Sequence, residues 1–273
     1  MDFYLFSELY IIRIIYKMNN IQRILVFDVE TNGLLPKKHT GHKTGSHRER
    51  SGSGLGLDNF DINLLPHILQ LSFAVYDTIS EKIIKSYNQY IRPHPDVEIS
   101  EKITGINGIS RELVNKVGCD ITEALAELYL WYSECDAIVA HNLEFDSRMI
   151  LLEIKRNYAK LVAMDESKNE NMKITPYICW MFSKKYCDLT DIRLICTMQN
   201  SVNLCNIKRE NSRGAYTKFP TLCELYQYLF DKTPENLHNS MIDVLVCLRC
   251  YLKLEFDMGI SDEMFSHYLE KCL

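Results

Sequence analysis

Residues 24–29, Ile-Leu-Val-Phe-Asp-Val, form a short β-rich apolar run, and Glu30 follows it directly. A continuous apolar stretch of this length reads as a strand buried on both faces, of the kind that fills the middle of an α/β sheet. Side chains alternate along a strand, so Asp28 and Glu30, two residues apart, project from the same face. Two readings follow. Exposed at a strand end, the pair needs no partner. Buried, the two acids repel each other and lose hydration, and a divalent cation relieves both penalties. With no His/Cys cluster beside them, oxygen ligands favour Mg²⁺ or Mn²⁺ over zinc.

The rest of the chain supplies elements for such a sheet. Strands are expected at residues 68–76 and 83–91, joined by a turn over 77–82 into a hairpin beside the first strand. Apolar periodicity then predicts a helix from Asp120 to about residue 133, a short strand at 137–140 and a helix at 143–156. A strand near 192–196 is followed by helices at about 221–230, 240–256 and 262–271. Two segments break the pattern. Residues 37–56 are rich in Gly, Ser and His, with five cations against one acid, and read as a flexible basic loop. Residues 164–175 are polar without periodicity and read as a surface excursion. Strands on both sides of each interruption are needed for one sheet. The expectation is therefore one α/β domain over residues 21–256, a mixed central sheet flanked by helices with insertions at about 37–60 and 164–175. An N-terminal extension (1–20) and a C-terminal helix (257–273) flank it.

Composition narrows the setting. Hydrophobic residues make up 47% and charged residues 25%, which excludes wholesale disorder and fibrous architecture. The formal net charge is −5, so a polyanionic partner would have to be held locally. Ten scattered cysteines are typical of a reducing intracellular compartment, cytoplasmic or nuclear. Cys247 and Cys250, the close pair, lie in an apolar helical run with no second pair, which favours core packing over a zinc site. The first seventeen residues are apolar, but Glu8 and Arg13 interrupt them and Asp2 stands where a signal peptide carries a basic region, so no membrane anchor is expected. An extension upstream of Met18 and an amphipathic surface helix are the two readings of that segment.

Two further stretches carry chemistry. Val139-Ala-His-Asn-Leu-Glu-Phe-Asp146 is a strand end, a turn and a helix start, where a carboxylate can project over a sheet edge. His238-Asn-Ser-Met-Ile-Asp243 places an imidazole just before a helix and an acid in its first turn. Singly, each acid has a structural reading: Asp146 as favourable charge at a helix N-terminus, Ser240-x-x-Asp243 as a capping box. Those readings leave the order unexplained.

That order, Asp28-x-Glu30, then His141-Asn-x-x-Phe-Asp146, then His238-x4-Asp243, resembles the three exonuclease motifs of the DEDDh branch of the DnaQ-like 3′→5′ exonucleases, on an RNase H-like fold. The likeness covers roughly residues 21–255, with FPTLCELYQYLF before the last motif supporting it; a His five residues before the final Asp selects the DEDDh branch over its sister, which has a Tyr four before. The resemblance implies that Asp28, Glu30, Asp146 and Asp243 hold two divalent ions about 3.5–4 Å apart, Mg²⁺ or Mn²⁺, and that His238 is the general base. It implies that Thr31, Asn32, Gly33 and Leu34 meet the terminal nucleotide through backbone amides, with Leu34 wedged against bases and Gly33 permitting close approach. Phe145 could line the same pocket or belong to the core, and His141, nearer the buried strand, reads as structural.

The implied activity is release of nucleoside monophosphates from a single-stranded 3′ end, DNA first. RNA as substrate, or a non-catalytic nucleic-acid-binding module on the same fold, are the alternatives. Two departures bear on substrate choice: the long connection over 37–56, and Cys196-Thr197-Met198 where the family commonly has Asp-Thr-Leu. The basic loop is expected either to fold over single-stranded substrate or to be a passive insertion. A proofreading role would require a separate polymerase chain, and the oligomeric state is left open.

Overall fold

The computed structural model describes residues 21–36, 61–166, 168–169, 173–212, 214–235 and 237–272. The N-terminal extension and the basic loop lie outside them. In chain order the elements are β1 (Arg23–Thr31), β2 (Ile68–Asp77), β3 (Lys82–Tyr90), α1 (Glu101–Asn107), α2 (Arg111–Val117), α3 (Ile121–Ser133), β4 (Ala137–Ala140) and α4 (Leu143–Arg156). They continue with α5 (Tyr158–Glu166), α6 (Thr175–Ile178), α7 (Lys184–Thr190), β5 (Arg193–Cys196), α8 (Thr197–Asn200) and α9 (Val202–Cys205). The last are β6 (Lys208–Asn211), β7 (Gly214–Thr217), α10 (Leu222–Phe230), α11 (Ser240–Phe256) and α12 (Asp262–Cys272).

The apolar run does what its pattern predicts. β1 is the middle strand of a five-stranded sheet ordered β3-β2-β1-β4-β5. It is antiparallel to β2 and parallel to β4, so the sheet is mixed. Its two faces enter two cores. Leu25, Phe27 and Val29 pack with Leu125 and Leu128 of α3 and Met149 and Ile150 of α4. Ile24 and Val26 pack with Met241, Val244, Leu245 and Leu248 of α11. A helical layer on each side leaves the C-terminal end of β1 as the place where the α11-facing row changes from Ile24 and Val26 to Asp28 and Glu30.

The structure corrects the sequence reading in three places. Residues 164–175 are not a surface excursion throughout: Asp165 closes α5, is 3% exposed, and accepts from the backbone N–H groups of Ile174 (2.8 Å) and Thr175 (2.6 Å). An acid that caps the next helix is buried because its charge is satisfied. The C-terminal helix is not a separate unit: Phe265 and Tyr268 of α12 are buried in the same core as α11. The short helices α1, α2, α6 and α7 and the β6–β7 ribbon had no periodic signal, since seven residues or fewer span at most two turns. α1 and α2 are instead started by Ser100 and Ser110, whose side chains accept from the N–H groups of Ile103 and Leu113.

Cys247 and Cys250 are buried in the α11 core as free thiols. No helix among the described residues is long and apolar enough to cross a membrane.

Candidate active site

Asp28 and Glu30 stand on the α11 side of β1, directly across from Ser72 and Gln70 of β2. Both of those residues are fully buried, so a polar patch interrupts an otherwise apolar face. It is connected. Asn88 Oδ1 accepts from Gln70 Nε2 (2.8 Å) and Ser72 Oγ (3.0 Å); Gln70 Oε1 accepts from the Ser240 N–H (3.3 Å); the Ser240 hydroxyl donates to the Asp28 carbonyl (2.8 Å). This ladder ties the N-terminus of α11 to β1. It also disposes of the capping-box reading: Asn239 is the N-cap, accepting from the Met241 N–H at 3.1 Å, and Ser240 serves Asp28.

Tethering α11 there places Asp243, in its first turn, against the β1 acids. His238 precedes the helix, as its position before the Asp243 turn predicts. Its φ of 71° lies in the left-handed region that non-glycine residues adopt uncommonly, and its backbone N–H donates to Asp243 Oδ2 at 3.4 Å. A ring nitrogen of His238 and one carboxylate oxygen each of Glu30 and Asp243 lie within 4.8 Å of one another.

Asp146 arrives from the opposite layer. β4 pairs with β1 only as far as Val26↔Val139. Beyond that point the backbone of β1 has no β4 partner, and the Val29 N–H donates to Asp146 in the first turn of α4. Asn142, at φ 80°, turns the chain from β4 into that helix.

The four acids share one electrostatic condition. Burial first, and the neighbouring Asp146, Asp243 and Glu30 second, push the Asp28 carboxyl well above its usual range. Burial and then Glu30 do the same to Asp146. Burial pushes Glu30 up to about 7, with Asp243 adding to the shift and a hydrogen bond from Asn107 opposing it. Burial takes Asp243 to about 7 as well. Asp146 Oδ2 and Asp243 Oδ1 are buried without a protein hydrogen-bond partner among the described residues. Clustered, desolvated carboxylates with unpartnered oxygens fit a hard divalent cation, which stabilises the charged form of every member.

The neighbouring side chains have definite roles. His141 is structural, as read: its Nε2–H donates to the Pro220 carbonyl (3.1 Å) and its Nδ1 accepts from the Thr197 hydroxyl (2.9 Å), while burial lowers it to about 4 and keeps it neutral. Thr31 is buried and donates from Oγ1 to the Gly33 carbonyl (2.7 Å). Asn32 braces the turn from inside: its backbone N–H goes to the His67 carbonyl (3.1 Å), Nδ2 to the Glu98 carbonyl (2.9 Å), and Oδ1 accepts from the His67 N–H (2.7 Å). Its amide is thus committed to the protein and not turned toward a nucleotide. At Gly33 an added Cβ would stand 3.9 Å from Pro66, an ordinary contact, so nothing within the protein demands a glycine. Leu34 is 84% exposed. Phe145 is half-buried and packs against the sheet core.

Sequence reading missed the Gln70–Ser72–Asn88–Ser240 ladder and Asn107, whose Nδ2 lies 3.5 Å from Glu30 Oε2. Polar residues inside the apolar run of β2 were the available signal. A cavity of about 1010 Å³ opens beyond the turn, lined by Asn32, Leu34, Leu64, Arg92 and Arg156 among others; none of the four acids lines it.

Residues 56–251 match the family RNase_T, described as Exonuclease. The chain belongs to this exonuclease family. Its fold is the RNase H-like fold of the DnaQ-like exonucleases. No curated protein matches. Among solved structures, E. coli exonuclease I in complex with a dA16 oligonucleotide aligns with TM-score 0.52 and 14% identity, over 91% of this chain and 43% of that one. The same enzyme in complex with a dT13 oligonucleotide aligns with TM-score 0.53 and 15% identity, over 91% and 43%. A zinc-ion-bound form of an E. coli exonuclease I–single-stranded DNA complex gives TM-score 0.52 and 15% identity, over 91% and 43%. This exonuclease chain thus spans less than half the length of those proteins. The family match begins after β1, so the placement of Asp28 and Glu30 rests on the geometry above.

Proposed function

We propose that this member of the family is a divalent-metal-dependent 3′→5′ exonuclease of the DEDDh type, releasing nucleoside monophosphates from single-stranded DNA ends. The observation that carries the reading is the convergence of Asp28, Glu30, Asp146 and Asp243 from β1, α4 and α11, with one oxygen each of Asp146 and Asp243 unpartnered among the described residues. These residues would hold two ions, Mg²⁺ or Mn²⁺, which when bound supply an acidified water and charge stabilisation at the leaving 3′ oxygen. His238, exposed beside Glu30 and Asp243, accepts the proton of the attacking water. Its backbone bond to Asp243 fixes the approach of the ring. Leu34, presented to solvent by a turn that Thr31 and Asn32 brace, wedges against the terminal base, and Gly33 lets the nucleotide approach. The choice of single-stranded DNA is supported by the oligonucleotide complexes of the structurally similar exonuclease I.

The test is release of labelled mononucleotide from matched 3′-labelled DNA and RNA single strands in Mg²⁺, Mn²⁺ or EDTA. DNA cleavage that EDTA abolishes is the expected result. Preference for the RNA strand would reassign the substrate. Absence of release from both with either metal would leave a binding module on the same fold.

A further inference from the structure

The β6–β7 ribbon has no apolar face: its residues are exposed, apart from a half-buried Thr217. A two-stranded ribbon without a core beneath it is marginal in water, so burial of its own side chains does not account for it. Its composition is one-sided. Residues 207–219 carry four cations against one acid, in a chain of net charge −5. The register sets Arg209 directly opposite Tyr216, and directly opposed residues share a face. The Lys218 N–H continues the ladder to the Ile207 carbonyl (3.0 Å), so Lys218, two residues past Tyr216, lies on that same side. Tyr216 is 46% exposed and Phe219, at the base, 56%.

The base of the ribbon is pinned to the sheet edge that carries the acids. Pro220, directly after Phe219, accepts from His141, which follows β4 and immediately precedes the Asn142 turn into the Asp146 helix. The Lys218 ammonium is held by Glu224 (2.7 Å), which leaves Arg209 as the cation beside the ring. An exposed ring beside a cation binds single strands without reading sequence: the ring stacks on any base, and the cation releases counterions from a phosphate.

We propose that the Arg209–Tyr216 face of this ribbon is a second contact surface for the substrate strand, engaging nucleotides 5′ of the reacting end. Tyr216 stacks on a base and Arg209 reaches a phosphate. The inference rests on the exonuclease reading above, which sets the 3′ end at the acids.

The experiment compares Arg209→Ala/Tyr216→Ala and Tyr216→Phe with the wild-type chain. It uses a long single strand and a trinucleotide, following turnover in Mg²⁺ and fluorescence anisotropy of the long strand. In the double variant the ratio of KM for the long strand to KM for the trinucleotide should rise by about 10-fold. The plot of log KM against log salt should flatten by about 0.7 for the lost phosphate contact, and Tyr216→Phe, which keeps the ring, should keep the wild-type ratio. An unchanged ratio and salt slope in a turning-over enzyme overturns the ribbon proposal alone, as does an equal rise for both substrates. A wild-type chain that releases no nucleotide yet binds the strand, with the double variant binding more weakly, overturns the exonuclease reading and keeps the ribbon. If the wild-type chain neither cleaves nor binds, both fall.

Discussion

At the scale of single residues, the acids are held in a state that is costly without a cation. Alanine at Asp28, Glu30, Asp146 or Asp243 should abolish turnover in Mg²⁺ while the fold persists, since each removes a repelling charge. A variant with near wild-type kcat would remove that residue from the metal set. The same repulsion makes the metal-free protein pH-sensitive. Glu30 and Asp243 hold their protons up to about 7, against ordinary values of 4.5 and 3.8. Their contribution to stability is complete below those ordinary values and is lost as pH rises to about 7, because there the native state binds more protons than the unfolded one. Tm in EDTA should therefore fall by several degrees across that window. Glu30→Gln should flatten the fall, and Mg²⁺ should reverse it. A Tm independent of pH in EDTA would contradict the mutual desolvation of these groups. His238→Ala belongs to a different class: kcat should drop by roughly 10²–10⁴-fold, the usual weight of a general base, with Mg²⁺ affinity nearly intact and the deficit shrinking at high pH. Loss of metal affinity in step with rate would make His238 a ligand.

At the scale of elements, the site depends on how α11 is tied to the sheet. Gln70 is fully buried and joins Asn88 of β3 to the first amide of α11. Gln70→Leu strands that N–H and removes one of the two bonds to Asn88 Oδ1, so it should cost about 1–3 kcal/mol in denaturant unfolding. It should also lower kcat more than it raises KM, because Asp243 rides on the loosened turn. A stability loss with kcat untouched would show that the ladder holds the fold but does not aim the acid. Here the sequence was legible in part. The strand pattern of residues 68–76 was read correctly as β, yet the two polar side chains within it, two residues apart on one face, do not name their partners. Their importance comes from register: Asp28 opposite Ser72 and Glu30 opposite Gln70 are facts of strand pairing.

At the scale of the whole molecule, α12 is joined to the body through one buried cation. Arg249 of α11 is 6% exposed, lies 4.5 Å from the Phe230 ring centroid and 4.8 Å from that of Phe265, and donates to Asp262 at 2.6 Å. Arg249→Leu should lower stability by about 1–3 kcal/mol through lost packing and cation–π contact, speed amide exchange in α12, and leave kcat unchanged. Slow exchange in α12 of the variant would show that Phe265 and Tyr268 suffice to hold it. The sequence by itself determined the α/β class, the central place of residues 24–29 and the chain order of acids and histidine. Each of these is written in local alternation, helical period or spacing, which a chain carries before it folds. Only the tertiary structure decided that Asp146 meets Val29 where β4 stops, that Ser240 serves Asp28, that Asn107 touches Glu30, and that α12 shares the α11 core. Those contacts join residues far apart in the chain through strand register and helix packing, and no local pattern encodes a partner at that distance.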